Sequence, residues 1–369
     1  MNKIPELKAR ITEARDAYYN LKPKISDQQY DAMIDELKQL DPKSLEVTAV
    51  GAPPPQYTIW EKVKHEIPMG SLNKVNSKDE FIEWAEKTKS EYFLITHKID
   101  GISMELIYQN GKLQKAITRG DGIIGELVTS NIKQIPSIPK TIEIKSKVVI
   151  RGEVVMFKEM FRQKYAEEYA NPRNIVSGKV RDKKHDGKAC KDLEFIGYQI
   201  YCEDRPKTEW SQMKLINSLG FKIPDWTYTK LENICHKHEE ITNSRDKIEY
   251  EIDGTVIRVG MIQEQEELGE QNMRPRGQIA WKFDHEMRES KIVDVRWQVG
   301  LTGRICPVAV IEPTQIGGVT ITNISLHNLR LFNHLKLFRG CKVLISRRND
   351  VIPYLEENID LGIKSSSLD

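Results

Sequence analysis

Asn110-Gly111, set between two alternating apolar runs, constrains the fold most, because this dipeptide is a strong signal for a two-residue β-hairpin turn. Ahead of it Ile102, Met104, Leu106 and Tyr108 alternate with Ser103, Glu105 and Ile107, and behind it the chain from Leu113 to Ile117 runs back antiparallel. Phe93-Leu94-Ile95 reads as a buried strand leading into Lys98. The hairpin therefore returns Thr118-Arg119-Gly120-Asp121-Gly122-Ile123-Ile124-Gly125-Glu126 toward Lys98-Ile99-Asp100-Gly101. A lysine beside a carboxylate, with a charged Gly-rich loop folded close behind it, is suited to attack on phosphorus rather than to solvating a surface.

Lys-x-Asp-Gly alone would occur by accident in about one chain in ten of this length, so its setting must carry the reading. The setting repeats one pattern: Arg151 and Glu153 interrupt the apolar run 148–156, Asp253 interrupts 252–259, and Lys282 interrupts Ile279-Ala280-Trp281-Lys282-Phe283. A charge inside an apolar strand is costly unless it is paired or used. Lys98, Asp100, Glu153, Asp253 and Lys282 together are expected to face one polar cleft.

The 369 residues suffice for two or three domains with real cores. No apolar run approaches the length of a membrane span and the N-terminus has no secretory signal pattern, so a cytoplasmic protein is expected. The five cysteines are scattered without a Cys-x-x-Cys pair, which points to reduced structural thiols rather than disulfides or a zinc site. In the N-terminal segment, Ile4, Leu7, Ile11, Ala14 and Tyr18 predict one helix ending before Pro23. Ser26-x-x-Gln29 caps a second helix carrying Tyr30, Met33, Ile34, Leu37 and Leu40, and Ala52-Pro53-Pro54-Pro55 reads as a linker. After residue 286, short strands punctuated by Gly300, Gly303, Gly317-Gly318 and Gly340 predict a small β-barrel. Residues 291–350 hold nine basic side chains against three acidic ones, and Arg173, Lys179, Arg181, Lys183, Lys184, Lys188 and Lys191 form a second basic cluster. Both clusters fit phosphate-backbone binding, as well as ordinary solvated faces.

The ordered series Lys98-Ile99-Asp100-Gly101, Thr118-Arg119-Gly120-Asp121-Gly122, Arg151-Gly152-Glu153, Asn171-Pro172-Arg173-Asn174, Ile252-Asp253-Gly254 and Trp281-Lys282-Phe283 resembles the bacterial-type NAD-dependent DNA ligases. Gln298-Val299-Gly300, Pro307-Val308-Ala309, Leu326-His327-Asn328 and Asp350-Val351-Ile352-Pro353 resemble that family's oligonucleotide-binding barrel. Tyr18-Tyr19 with Ser26-Asp27-x-x-Tyr30-Asp31 resembles its nicotinamide-mononucleotide-binding domain. The resemblance implies an α+β chain: a helical domain over 1–65, a nucleotidyltransferase domain of ATP-grasp-like mixed antiparallel sheets over 66–286, and the barrel over 287–369.

It further implies that Lys98 attacks the α-phosphorus of NAD⁺, expels nicotinamide mononucleotide and carries AMP. The AMP then passes to the 5′-phosphate of a nick in duplex DNA, and the 3′-hydroxyl displaces it. Asp100, Arg119, Glu153, Asp253 and Lys282 complete the catalytic set, with Glu153 and Asp253 organising Mg²⁺, for which Mn²⁺ could substitute. Cofactor contacts fall to Tyr18, Tyr19, Asp27, Tyr30 and Asp31 on the nicotinamide half, and to Ser71, Leu72, Ile99, Arg119, Glu153, Tyr198, Arg245, Arg258 and Lys282 on the adenylate half. Arg173, Arg181, Arg304, Arg347, Val351 and Ile352 would grip the DNA. A monomer is expected. Thr96, Arg258, Gly277 and Leu301 depart from the family pattern of Glu, Lys, Trp and Arg.

No zinc, helix-hairpin-helix or BRCT pattern is visible in these residues, so the expectation is a compact ligase, or an adenylating fragment or subunit of a truncated or split enzyme that needs a separate DNA-binding part. Two further readings stand beside it: a scaffold with a dead nucleotidyltransferase fold, and a dehydrogenase. The dehydrogenase reading rests on Gly120-x-Gly122-x-x-Gly125, which would have to open a βαβ unit.

Overall fold

The computed structural model describes residues 3–20, 27–49, 51–53, 60–169, 171–183, 187–283, 287–299, 305–316, 319–326, 328–348 and 352–365. Its compact units are residues 1–24 with 33–283, and residues 25–32 with 284–369. Among the described residues no helix is long and apolar enough to cross a membrane.

Near the N-terminus, helices Lys3–Asn20 and Asp27–Leu40 form as their 3–4 spacing predicts, and a short third helix, Leu45–Thr48, follows. Leu7, Ile11, Ala14, Met33 and Leu37 are buried, whereas Leu40 is exposed. Ser26 and Pro23 lie outside the described residues. The stretch expected to be a linker starts as packed chain: Ala52 is buried, and a Cβ on Gly51 would lie 2.1 Å from the Gly120 carbonyl oxygen.

The core of the first unit is two sheets. The strand Tyr92–Ile99 lies in a five-stranded sheet ordered Asn73–Val75, Gln278–Lys282, Ile252–Val259, Tyr92–Ile99, Trp226–Lys230. Its pairs are antiparallel except for the parallel edge between Asn73–Val75 and Gln278–Lys282. One face, bearing Phe93, Ile95, Ile257, Val259, Ile279 and Trp281, packs with Phe81, Ala85 and Ile234 of helices Lys78–Thr88 and Leu231–Ser244. Because side chains alternate along a strand, Leu94, Thr96 and Lys98 project from the other face.

The hairpin belongs to the second sheet, ordered Lys112–Thr118, Ile102–Gln109, Val148–Val155, Glu194–Tyr201. Asn110 and Gly111 both have positive φ, 53° and 72°, as a tight primed turn requires. Asp100-Gly101 is thus a corner between sheets. Gly101 is required there by close approach, since a Cβ would come within 2.5 Å of the Val154 carbonyl oxygen. Met104, Leu106, Tyr108, Val148, Ile150 and Val154 pack with Ile175, Val176, Met213 and Ile216 in the largest apolar core.

In the second unit the strands run in the order Val319–Ser325, Ile305–Ile316, Met287–Val299, Lys342–Arg348, Ile352–Asn358, Ile363–Lys364. The long strand Met287–Val299 pairs with Lys342–Arg348 through its first half and with Ile305–Ile316 through its second, and a register shift lies between Ile292 and Asp294. The sheet curls far enough to bring Val319–Ser325 within 8 Å of Ile352–Asn358 between Cα atoms. The expected barrel is corrected on one point: among the described residues no hydrogen-bonded ladder closes it. The helix Leu329–Leu335 packs Leu331 and Leu335 into this unit's core.

Candidate active site

Three strands place a row of charge on the inner face of the five-stranded sheet. Gly254 lies opposite Lys98 on one side and opposite Lys282 on the other, so both lysines project from the same face with no side chain between them. Gly254 has no room for one, as a Cβ would sit 2.2 Å from the Trp281 carbonyl oxygen. The pairing shifts register between Ile252 and Gly254, and Asp253 reaches Lys98 from this irregularity. Lys98 Nζ donates to both Asp253 oxygens at 2.7 Å, and the two side chains stay 28% and 29% exposed, open to a ligand. Burial pushes the Asp253 carboxyl up, but Lys98, Lys282 and Arg173 outweigh it and hold the group below its ordinary value.

At the corner, Asp100 accepts a hydrogen bond from Arg173 Nη1, and its backbone N–H donates to the Glu251 carbonyl at 2.9 Å. Asn171-Pro172-Arg173-Asn174 shows why that arginine stands there. Asn171 caps the helix Pro172–Val180 by accepting from the Asn174 N–H at 2.9 Å, Pro172 fits the first turn, and Arg173 follows at the mouth of the helix.

Glu153, on the four-stranded sheet opposite Ser103, supplies the second carboxylate. It is 9% exposed; Oε1 accepts from Ser103 Oγ at 2.7 Å and from the Tyr198 hydroxyl at 3.4 Å, while Oε2 is buried without a protein partner. Burial raises its carboxyl to about 7, against the opposing pull of the Ser103 bond, Arg119, Lys98 and Tyr198. Burial likewise pushes the Tyr198 phenol up. An oxygen left unfilled in such a site fits a hard cation or a ribose hydroxyl. Among the described residues no group of three or more His, Cys, Asp or Glu is arranged to hold a metal ion. A cation here would therefore rely on Glu153, Asp253, water and phosphate oxygens.

Arg119 opens the turn after the hairpin. Its N–H donates to the Ser103 carbonyl at 3.2 Å and its carbonyl accepts from Gly122 at 3.0 Å. Asp121 shapes the turn by accepting from the N–H groups of Ile123 and Ile124 at 2.9 and 2.7 Å. A strand follows, Ile124–Glu126, antiparallel to Lys62–Lys64. The Gly-rich segment therefore opens no βαβ unit, which removes the dehydrogenase reading.

The remaining expected residues are dispersed. Ser71 and Leu72 are half-buried just before the edge strand Asn73–Val75, with the Ser71 N–H on the Met273 carbonyl at 3.1 Å. Ile99 is buried in an apolar cluster with Val155, Ile196, Tyr250, Ile252 and Phe283. The Arg245 guanidinium lies 5.6 Å from the Phe283 ring centre. Arg258 is 5% exposed and donates to the Tyr198 carbonyl at 2.8 Å and to Glu209 at 3.3 Å, a buried brace between the two sheets. Thr96 is buried on the Lys98 face.

The basic cluster is less free than its composition implied. Arg181 donates to Glu126 at 2.5 Å and to Ser177 at 2.7 Å, Lys179 lies 4.3 Å from the Tyr165 ring centre and Lys183 4.5 Å from that of Trp60. Lys188 and Lys191 are exposed. Arg304 and Val351 lie outside the described residues, as do the side chains of Tyr18, Tyr19, Asp27, Asp31, Arg347 and Ile352, and Tyr30 is half-buried. The five cysteines are free thiols; burial pushes that of Cys190 up to about 12.

His65 and Glu105 escaped the reading of the sequence. His65 is 3% exposed and touches Glu105 and the backbone of Thr118 and Arg119, while Glu105 also binds Arg151. The available signal was Glu105, a charge at an alternating strand position that resembled an outward face.

The family model of the NAD-dependent DNA ligase adenylation domain matches residues 57–286, and that of the NAD-dependent DNA ligase OB-fold domain matches residues 289–362. The chain is similar to a DNA ligase of Sorangium cellulosum, 34% identical over 385 residues that cover 97% of this chain and 56% of that protein. A DNA ligase of Brachyspira hyodysenteriae is 35% identical over 380 residues, covering 95% and 57%. The chain thus spans a little over half the length of the curated relatives it matches.

Proposed function

The chain belongs to the NAD-dependent DNA ligase family, and from that premise we propose that it transfers AMP from NAD⁺ to Lys98 and onward to the 5′-phosphate of a DNA nick, which the 3′-hydroxyl then seals. The observation that carries the reading is the Lys98–Asp253 pair beside Lys282, partly open to solvent. Asp253 holds the amine by two hydrogen bonds and so fixes its direction of approach. The amine must shed a proton before it attacks: nearby cations such as Lys282 and Arg119 favour the neutral amine, and the ion pair with Asp253 opposes it. Attack forms the N–P bond, breaks the bond from the α-phosphorus to the bridging oxygen, and releases nicotinamide mononucleotide.

Negative charge gathers on the phosphoryl oxygens in each displacement, so fixed cations count for more than a strong acid or base. Lys282 supplies one across Gly254, Arg119 a second, and Arg173 a third once Asp100 shares it. Mg²⁺, when bound, would add Lewis-acid neutralisation of those oxygens, and Glu153 and Asp253 are the residues that would hold it. Tyr18, Tyr19, Asp27, Tyr30 and Asp31 take the nicotinamide half, and residues 287–369 grip duplex DNA.

Intact mass after incubation with Mg²⁺ and either NAD⁺ or ATP tests the first step, and nicked duplex tests the rest. An AMP-sized gain with NAD⁺ alone, lost in Lys98→Ala, is the expected result. Absence of any adduct would refute the reading. Adduct formation without sealing would identify an adenylating part that needs a further DNA-binding partner.

A further inference from the structure

We infer that His65 is a positioning residue for Arg119, holding the turn that presents it. The chain from Lys62 to Met69 forms a strap along this turn. Lys62–Lys64 pairs with Ile124–Glu126, the His65 N–H donates to the Ile123 carbonyl at 2.8 Å, and the Met69 N–H donates to the Gly122 carbonyl at 2.8 Å. Arg151 ties the strap down from the other side through the Ile67 carbonyl.

The imidazole then reaches past its own backbone. Nδ1 lies 2.9 Å from Glu105 Oε1, and Nε2 lies 3.1 and 3.2 Å from the carbonyl oxygens of Thr118 and Arg119. All of these partners are acceptors, so the ring makes both sets of contacts as hydrogen bonds only with a hydrogen on each nitrogen. Glu105 is itself fixed, because Oε2 accepts from Arg151 Nε and Nη2 at 3.2 and 3.1 Å and the two residues are direct cross-strand neighbours. The ring therefore links a rigid buried ion pair to the two peptide groups where the strand Lys112–Thr118 ends and the turn begins. Rotation of either peptide would swing the Arg119 side chain, and Nε2 opposes that rotation. Glu153 stands one step along the same sheet face, two residues from Arg151, so turn and carboxylate share one support.

The role in catalysis rests on Arg119 contacting the adenylate; the effect on the turn does not. Two substitutions separate the ring's two ends. In His65→Gln the amide nitrogen replaces Nε2 and keeps a donor on the Thr118 and Arg119 carbonyls, whereas in His65→Asn it replaces Nδ1 and keeps only the Glu105 contact. Hydrogen exchange followed by mass spectrometry over residues 118–126 reads the turn, and lysine adenylation across NAD⁺ concentrations reads its use. The expected result is about tenfold faster exchange and about tenfold lower kcat/KM in His65→Asn, with both near wild type in His65→Gln.

Equal behaviour of the two variants, or wild-type exchange in His65→Asn, would overturn the inference, since packing alone does not distinguish which nitrogen remains. If His65→Asn does not fold, His65→Gln alone decides: its turn must exchange at the wild-type rate. A wild-type protein that forms no adduct would defeat the proposed function, and the exchange data would still judge the support of the turn.

Discussion

Substitution of Gly254 by alanine should loosen the row that holds the two lysines, and its effect can be worked from distances. A Cβ there would meet the Trp281 carbonyl oxygen at 2.2 Å and the Lys282 Cα at 2.9 Å, both of them backbone atoms of the neighbouring strand. No flexible side chain can swing away, so the central strand and Gln278–Lys282 must separate. Overpacking of this kind costs up to about 3 kcal/mol. The reduced freedom of the unfolded alanine chain returns roughly 0.5–1 kcal/mol, leaving a net loss of about 2 kcal/mol. In calorimetry the transition of the first unit should fall by roughly 4–8 °C.

Gly178 provides the opposite case within the same unit. It lies inside the helix Pro172–Val180, and an added Cβ meets nothing within 4 Å. Gly178→Ala should therefore stabilise by about 0.8–1 kcal/mol through helix propensity alone. Lysine adenylation should drop in Gly254→Ala even well below its melting temperature, because Lys98 and Lys282 flank the inserted methyl group. A Gly254→Ala protein that melts at or above wild type, or that melts lower yet adenylates at the wild-type rate, would refute the reasoning.

Arg181→Ala should cost about 1.5–3 kcal/mol, the worth of hydrogen bonds to a charged group, because it removes the guanidinium that donates to the carboxylate of Glu126, 2% exposed; urea unfolding checks this, and unchanged stability would refute a structural role for the pair. Glu153→Gln should stabilise the first unit at alkaline pH. A carboxyl raised from about 4.5 to about 7 ionises in the unfolded chain first, so the wild type loses stability as pH climbs through that interval and regains it on acidification. The substituted protein should be more stable by about 3 kcal/mol at pH 8 and equal at pH 4.5, and a difference independent of pH in unfolding experiments would count against a neutral buried Glu153.

The hairpin was legible in the sequence because its determinants are local: a turn dipeptide that accepts positive φ, flanked by period-two alternation. Charges within apolar strands marked the cleft nearly as well, since Lys98, Glu153, Asp253 and Lys282 do converge. What spacing could not reveal is register. That Gly254 falls opposite both lysines depends on its strand pairing with a close neighbour on one side and, on the other, with a strand more than a hundred residues earlier, and the Asp253 contact depends on an irregularity in the second pairing. Spacing was equally silent on the partners of the basic cluster, because the acids that Arg173 and Arg181 meet, Asp100 and Glu126, lie far away in the sequence.

Glu105 and Glu153 make the distinction sharpest, because they occupy the same face of one sheet, two registers apart, and both are buried. By pattern alone either could be the functional carboxylate. Glu105 has both oxygens satisfied by His65 and Arg151, so a ligand reaching it would have to break an existing bond. Glu153 has one oxygen satisfied and one without a protein partner, and the cost of that omission is what a cation or hydroxyl would relieve on binding. Glu105 therefore belongs to the frame and Glu153 is the carboxylate left open to a ligand, a difference that depends on the strap carrying His65, whose short apolar content gave no sign in the sequence that it would cover a sheet.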